Sequence, residues 1–101
     1  MSVSTLEKEI EQKLRTKVED LGGKCLKWVC PGWSGVPDRI VLLPGGRIYF
    51  VELKRPRGGV LSPMQKKWRD WLQRLGFRYV LIWDRERLDR FLCLLEMRRV
   101  E

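Results

Sequence analysis

The chain has 101 residues with 21 Lys and Arg against 13 Asp and Glu, a net charge of +8. That length supports one modest core and excludes two independent domains, so residues 1–101 are expected to form a single domain. Hydrophobic residues at 44% and charged residues at 34% suit a folded domain, no apolar run approaches the roughly 20 residues of a membrane span, and the basic balance favours a polyanionic partner.

Leu6, Ile10, Leu14, Val18 and Leu21 recur at helical spacing, with Ser4-Thr5 as the expected cap and Gly22-Gly23 as the stop. Glu7 and Glu11 are four apart and share the face bordering that apolar stripe, either as surface charge paired with Lys8 or Arg15 or as functional carboxylates. Lys24 to Cys30 reads as a strand. It runs into a loop from Pro31 to Pro37 whose two Pro and two Gly make it tight. Trp33 within that loop either stacks on a base or packs on the domain.

Asp38 to Leu43 and Arg47 to Lys54 are apolar, β-branched runs separated by Pro44-Gly45-Gly46, a hairpin signal. Pro suits the first corner of a type I turn and a following Gly the left-handed position of a three-residue loop. Leu43 should therefore face Arg47, and counting back places Asp38 across from Glu52 on one face, with β-carbons about 5 Å apart. Lys54 projects from that face, roughly 7 Å further along. Opposed carboxylates repel unless a proton or cation lies between them. Mg²⁺ accepts one or two carboxylates, keeps several waters and bridges to phosphate, so Asp38, Glu52 and a backbone carbonyl such as that of Leu53 form a metal site in outline. The plainer reading of Glu52-x-Lys54 is a surface ion pair worth under about 1 kcal/mol.

Arg55-Pro56-Arg57-Gly58-Gly59 is a basic loop whose Arg55 and Arg57 are candidates for phosphate contact or for solvated charge. Arg39 meets phosphate or an acidic neighbour. Ser62 and Pro63 open a second helix with Met64, Trp68, Trp71, Leu72 and Leu75 on its apolar face and Gly76 at its end. Ser62-x-x-Gln65 is a capping box. Phe77 to Trp83 reads as a well-buried strand, and Asp84 caps a last helix with Leu88, Phe91, Leu92 and Leu95 inward and Arg85, Arg87, Arg90, Arg98 and Arg99 outward. The order α-β-β-β-α-β-α implies an α/β fold, a small mixed sheet flanked by helices, with a parallel crossover between the third and fourth strands. Cys25, Cys30 and Cys93 lack C-x-x-C spacing in a chain without His, which argues against zinc and for small reduced hydrophobes in the cytoplasm.

Gly35-Val36-Pro37-Asp38-Arg39-Ile40-Val41-Leu42, Tyr49-Phe50-Val51-Glu52-Leu53-Lys54 and Ser62-Pro63-Met64-Gln65, in that order, resemble the VRR-NUC (virus-type replication-repair nuclease) family. That family is a branch of the PD-(D/E)xK nuclease superfamily, and the match runs from the first helix to about Leu81. The resemblance implies a restriction-endonuclease-like core, of the stand-alone phage or bacterial type. It also implies a Mg²⁺- or Mn²⁺-dependent endodeoxyribonuclease with Asp38 and Glu52 as metal ligands, Lys54 as the catalytic lysine and Gln65 beside them. The family's helix-one glutamate, a further catalytic residue and a candidate metal ligand, falls on Glu11, with Glu7 as the fallback. Branched DNA such as a Holliday junction is the implied substrate, cut by a homodimer, with Arg39, Arg55 and Arg57 toward the DNA. No nucleotide cofactor and no membrane partner are expected.

Overall fold

The computed structural model describes residues 2–54 and 60–98, and the side chains of residues 7–54 and 60–97. Helix α1 spans Ser2–Asp20, followed by strands β1 (Lys24–Lys27), β2 (Arg39–Leu43) and β3 (Arg47–Leu53), helix α2 (Pro63–Arg74), strand β4 (Arg78–Ile82) and helix α3 (Arg85–Arg98). The expected α-β-β-β-α-β-α order is the observed one. The sheet runs β1-β2-β3-β4, antiparallel between the first three strands and parallel between β3 and β4, as the α2 crossover requires.

Two-residue alternation divides the side chains between the faces of the sheet. Val41, Leu43, Tyr49 and Val51 join Ile10, Leu14 and Val18 of α1 and Leu88, Phe91 and Leu95 of α3 in one buried core. On the opposite face Phe50 meets Trp28 and Phe77, and Trp28 meets Trp68 of α2. Strand β3, paired on both sides and covered on both faces, buries Tyr49, Phe50, Val51 and Glu52 in succession.

The β2–β3 turn has the expected length, since Leu43 pairs with Arg47. Its interior differs. Gly45 has φ +83° and Gly46 φ +75°, so the second corner is left-handed as in a type II turn, which Pro44-Gly45 suits better than the type I turn expected.

Four other expectations are corrected. Helix α1 begins at Ser2, so Ser4 and Thr5 lie within it instead of capping it. Strand β1 stops at Lys27; beyond the Trp28 N–H bond to the Asp38 carbonyl (3.0 Å) its partner chain turns into Pro37, which has no N–H to offer. Strand β4 is an edge strand with only Ile82 buried, because β3 pairs it on one side alone. Leu75 and Phe77, in the connection between α2 and β4, are exposed, although Phe77 still meets Phe50 of the sheet. Of the cysteines, Cys25 is buried and its thiol pushed up to about 11, mainly by burial, whereas Cys93 is exposed. Asp84 caps α3 as expected, accepting the Arg87 N–H at 2.9 Å. Arg99 lies outside the described residues, as does the side chain of Arg98. No described helix is long and apolar enough to cross a membrane.

Candidate active site

The last ladder pair of the hairpin is Arg39 with Val51, which leaves Asp38 and Glu52 facing one another at the open end where β2 gives way to the loop. Here a side chain replaces the ladder: the Leu53 N–H donates to Asp38 Oδ2 at 2.8 Å. That bond fixes the carboxylate at the strand end without neutralising it. The next residue in register, across from Leu53, is Pro37, so the ladder has no N–H to give the Leu53 carbonyl. Lys54 carries the alignment one residue past the strand, its N–H bonded to the Ile82 carbonyl at 2.9 Å.

Glu52 is 2% exposed and is the one buried charged residue of the described core. Gln65 at the start of α2 donates from Nε2 to Glu52 Oε2 at 3.0 Å, while Glu52 Oε1 is buried without a donor. Burial, then the charge of Asp38 and a hydrogen bond shared with it, push the Glu52 carboxyl up to about 8; the nearby Lys54 ammonium opposes the shift. A buried carboxylate with an orphaned oxygen beside a second carboxylate attracts either a proton or a cation.

Gln65 serves two structures at once. Its side-chain oxygen accepts the Ser62 N–H at 2.8 Å and its backbone N–H donates to Ser62 Oγ at 3.2 Å, completing the capping box. The cap uses Oε1 and the contact with Glu52 uses Nε2, so the two sequence readings are compatible. The cap holds the amide in the orientation that Glu52 needs.

Glu11 reaches the same end of the sheet from the α1 side. It pairs with Arg39, Nε to Oε2 at 3.5 Å, and Arg39 also donates from Nη1 to the Asp38 carbonyl at 3.1 Å. Of the two partners the sequence left open for Arg39, the structure supplies the acidic one. Glu7, Glu11, Asp38, Arg39 and Leu53 line one groove of about 350 Å³ with Lys8 and Lys27. Glu11 does not join Asp38 and Glu52, however, and no three acidic or Cys side chains among the described residues gather as a metal-binding group. The donors open to a cation are thus Asp38, Glu52 and the Leu53 carbonyl, the small set that Mg²⁺ tolerates. Arg55 and Arg57 lie outside the described residues.

Sequence reasoning missed Tyr79. Its hydroxyl is buried without a partner, and burial together with the charges of Glu52 and Asp38 raises its pKa. A tyrosine in a strand carries no local mark of such a neighbourhood. Also missed was the clamp on the loop that delivers Asp38. Trp68 Nε1 donates to the Ser34 carbonyl at 3.1 Å. Gly35, at φ +81°, packs so closely on α2 that an added Cβ would stand 2.8 Å from Met64 C and 2.9 Å from Gln65 N. Gly35→Ala is therefore expected to lower stability by roughly 2 kcal/mol or more, from backbone strain plus overlap with backbone atoms. Gly32→Ala, at φ +86° with nothing within 4 Å, should cost about 1 kcal/mol. Urea midpoints of the two variants test the contrast; equal losses would show that the close approach is not constraining.

The VRR-NUC domain model matches residues 3–83. A protein named "Putative nuclease p44", from Acyrthosiphon pisum secondary endosymbiont phage 1, is 42% identical over 76 residues, which cover 75% of this chain and 81% of that protein. A solved structure described as a VRR_NUC domain superposes with a TM-score of 0.80 at 28% identity, over 85% of this chain and 92% of its own.

Proposed function

Because this chain belongs to the VRR-NUC domain family, we propose that it is a structure-selective DNA endonuclease. It hydrolyses phosphodiester bonds with Mg²⁺ or Mn²⁺ and cuts branched DNA, Holliday junctions foremost, as a homodimer in the cytoplasm of a bacterium or phage-infected cell. The observation that carries this reading is Glu52: a buried carboxylate with one oxygen on Gln65 and the other without a donor, held beside Asp38. Folding tolerates that arrangement when a function recovers its cost.

Asp38, Glu52 and the Leu53 carbonyl would hold the ion, which when bound supplies an acidified water and neutralises charge on the phosphodiester. The chain's own residues do the rest. The Leu53 N–H sets the Asp38 carboxylate, and Gln65 occupies Glu52 Oε2, which leaves the buried Oε1 as the oxygen without a donor. Lys54, close enough to Glu52 to offset its charge, presents an ammonium to the phosphate as negative charge builds. Arg39, engaged with Glu11 and the Asp38 carbonyl, ties α1 to the site. Arg55 and Arg57, next after Lys54 in sequence, are the proposed phosphate contacts.

A junction needs two symmetric nicks and a chain of this size offers one site, so two copies meet about a twofold axis. Leu94 and Met97, exposed on α3, are apolar surface available for that contact. The test is a panel of four-way junction, flap, linear duplex and single-stranded DNA with Mg²⁺, Mn²⁺ or chelator. Metal-dependent cutting of the branched substrates in preference to duplex is expected. Cutting of linear duplex at one sequence would replace this reading with a restriction-like enzyme, and binding without cutting would leave a DNA-binding module.

A further inference from the structure

Trp33 is 54% exposed, yet its ring packs against two others. It meets Trp68 at 5.6 Å between centroids and 81° between planes, and Trp71 at 6.0 Å and 89°. Both contacts are edge to face, so the indole is braced by its neighbours instead of lying flat against them. The loop beneath it is fastened to α2 by the Trp68 bond to Ser34 and by the close approach of Gly35 to Gln65. Trp33 stands five residues before Asp38, and two before a glycine that abuts the residue touching Glu52.

The helix that braces the ring is the most basic of the three. Its sequence carries Lys66, Lys67, Arg69 and Arg74 against a single acid, Asp70, and Asp70 is paired with Arg69. Lys67 and Arg74, which by helical spacing flank Trp71, are exposed and make no ion pair among the described residues. The acids of α1 and α3 instead consume cations in Lys13–Asp89, Lys17–Glu96, Arg85–Glu9 and Arg90–Glu86 pairs. An exposed indole braced edge to face, beside cations that make no ion pair, is the combination that binds unpaired nucleotides, the cations taking phosphates and the ring taking a base.

We propose that Trp33 and the basic flank of α2 form a stacking platform for an unpaired base of a DNA strand entering the Asp38–Glu52 site. This rests on the nuclease reading for the identity of the ligand, and it supplies a physical basis for branch selectivity. Continuous duplex keeps its bases stacked and has none to offer the ring, whereas flaps and opened junctions do.

The experiment uses the full chain in chelator, with a flap DNA carrying 2-aminopurine at the unpaired position next to the branch, and a duplex carrying it in a pair. Binding is expected to quench the unpaired probe and leave the paired one unchanged. Trp33→Ala and Trp33→Leu, the second keeping apolar bulk without a π face, should lose the quench and bind the flap about 10-fold more weakly. Duplex affinity should stay within about 2-fold, and Trp33→Phe should restore most of both signals. Melting temperatures certify folding; if Trp33→Ala fails to fold, Leu against Phe decides. Unchanged quench and flap affinity in the Leu variant overturn the platform, whatever cleavage in Mg²⁺ shows. Quenching by a wild-type chain that cuts nothing sinks the nuclease reading and leaves the platform standing. If the variants instead sediment at half the wild-type mass and lose duplex and flap affinity alike, the ring is an interface between copies and the proposal falls.

Discussion

Asp38→Ala and Glu52→Gln are each expected to slow cleavage of a labelled four-way junction in Mg²⁺ by about 10³-fold or more, while junction affinity measured in chelator stays within a few-fold of wild type. The two properties separate because different parts of the chain carry them. On the proposed reading, affinity for DNA comes from a chain with a net charge of +8 and is largely a matter of phosphate neutralisation. Turnover depends instead on Asp38 and Glu52, whose carboxyl groups offer an incoming phosphate no positive charge to bind. Lys54→Ala should cost roughly 10²- to 10³-fold, the usual scale for one group that stabilises developing charge. Single-turnover rates at saturating enzyme distinguish these losses from weaker binding. Undiminished cleavage by Asp38→Ala would remove the basis of the proposed mechanism.

The second large effect is on stability against pH. In the folded chain Glu52 titrates at about 8 in place of the ordinary 4.5, chiefly because it is buried and secondarily because Asp38 lies beside it. Folding therefore favours its protonated form. Below the unfolded pKa the group is neutral in both states and costs nothing. Between 4.5 and 8 the unfolded chain releases a proton that the folded chain retains, so stability falls as pH rises, by up to about 1.4 kcal/mol per pH unit. Above 8 the loss is complete. In chelator, the urea midpoint should decline from pH 5 to pH 8, and Glu52→Gln, which imitates the neutral carboxyl, should flatten the decline.

Mg²⁺ or Mn²⁺ should restore stability most at the alkaline end of that window, since a cation on Glu52 displaces the proton and its affinity rises with pH until 8. A midpoint that rises from pH 5 to 8 without metal, or a decline that survives Glu52→Gln, would show that Glu52 is not the group responsible.

These expectations follow from features the sequence exposes to different degrees. The pairing of Asp38 with Glu52 was legible because it is a local consequence. A three-residue loop fixes Leu43 against Arg47, and the two-residue strand period then carries the register to the far end of the hairpin. The capping box at Ser62 and Gln65 is local in the same way, and so are the helix stops at glycine. Strand β4 shows where such reasoning fails. Its aromatic, β-branched composition suits a buried strand, but composition does not say how many neighbours a strand has, and β4 has one.

The order of the elements, the register of the hairpin and the set of residues at its open end are all written in local spacing. The state of those residues is set by tertiary packing. Glu52 is held away from water because α2 crosses above it. Gln65 spends one end of its amide on the cap and the other on Glu52. Arg39 joins a glutamate 28 positions earlier in the chain, and Tyr79 contributes a hydroxyl from the adjoining strand. Burial and charge coupling depend on distances between segments far apart in sequence, set by the packing of whole helices against the sheet, and no spacing along the chain encodes them.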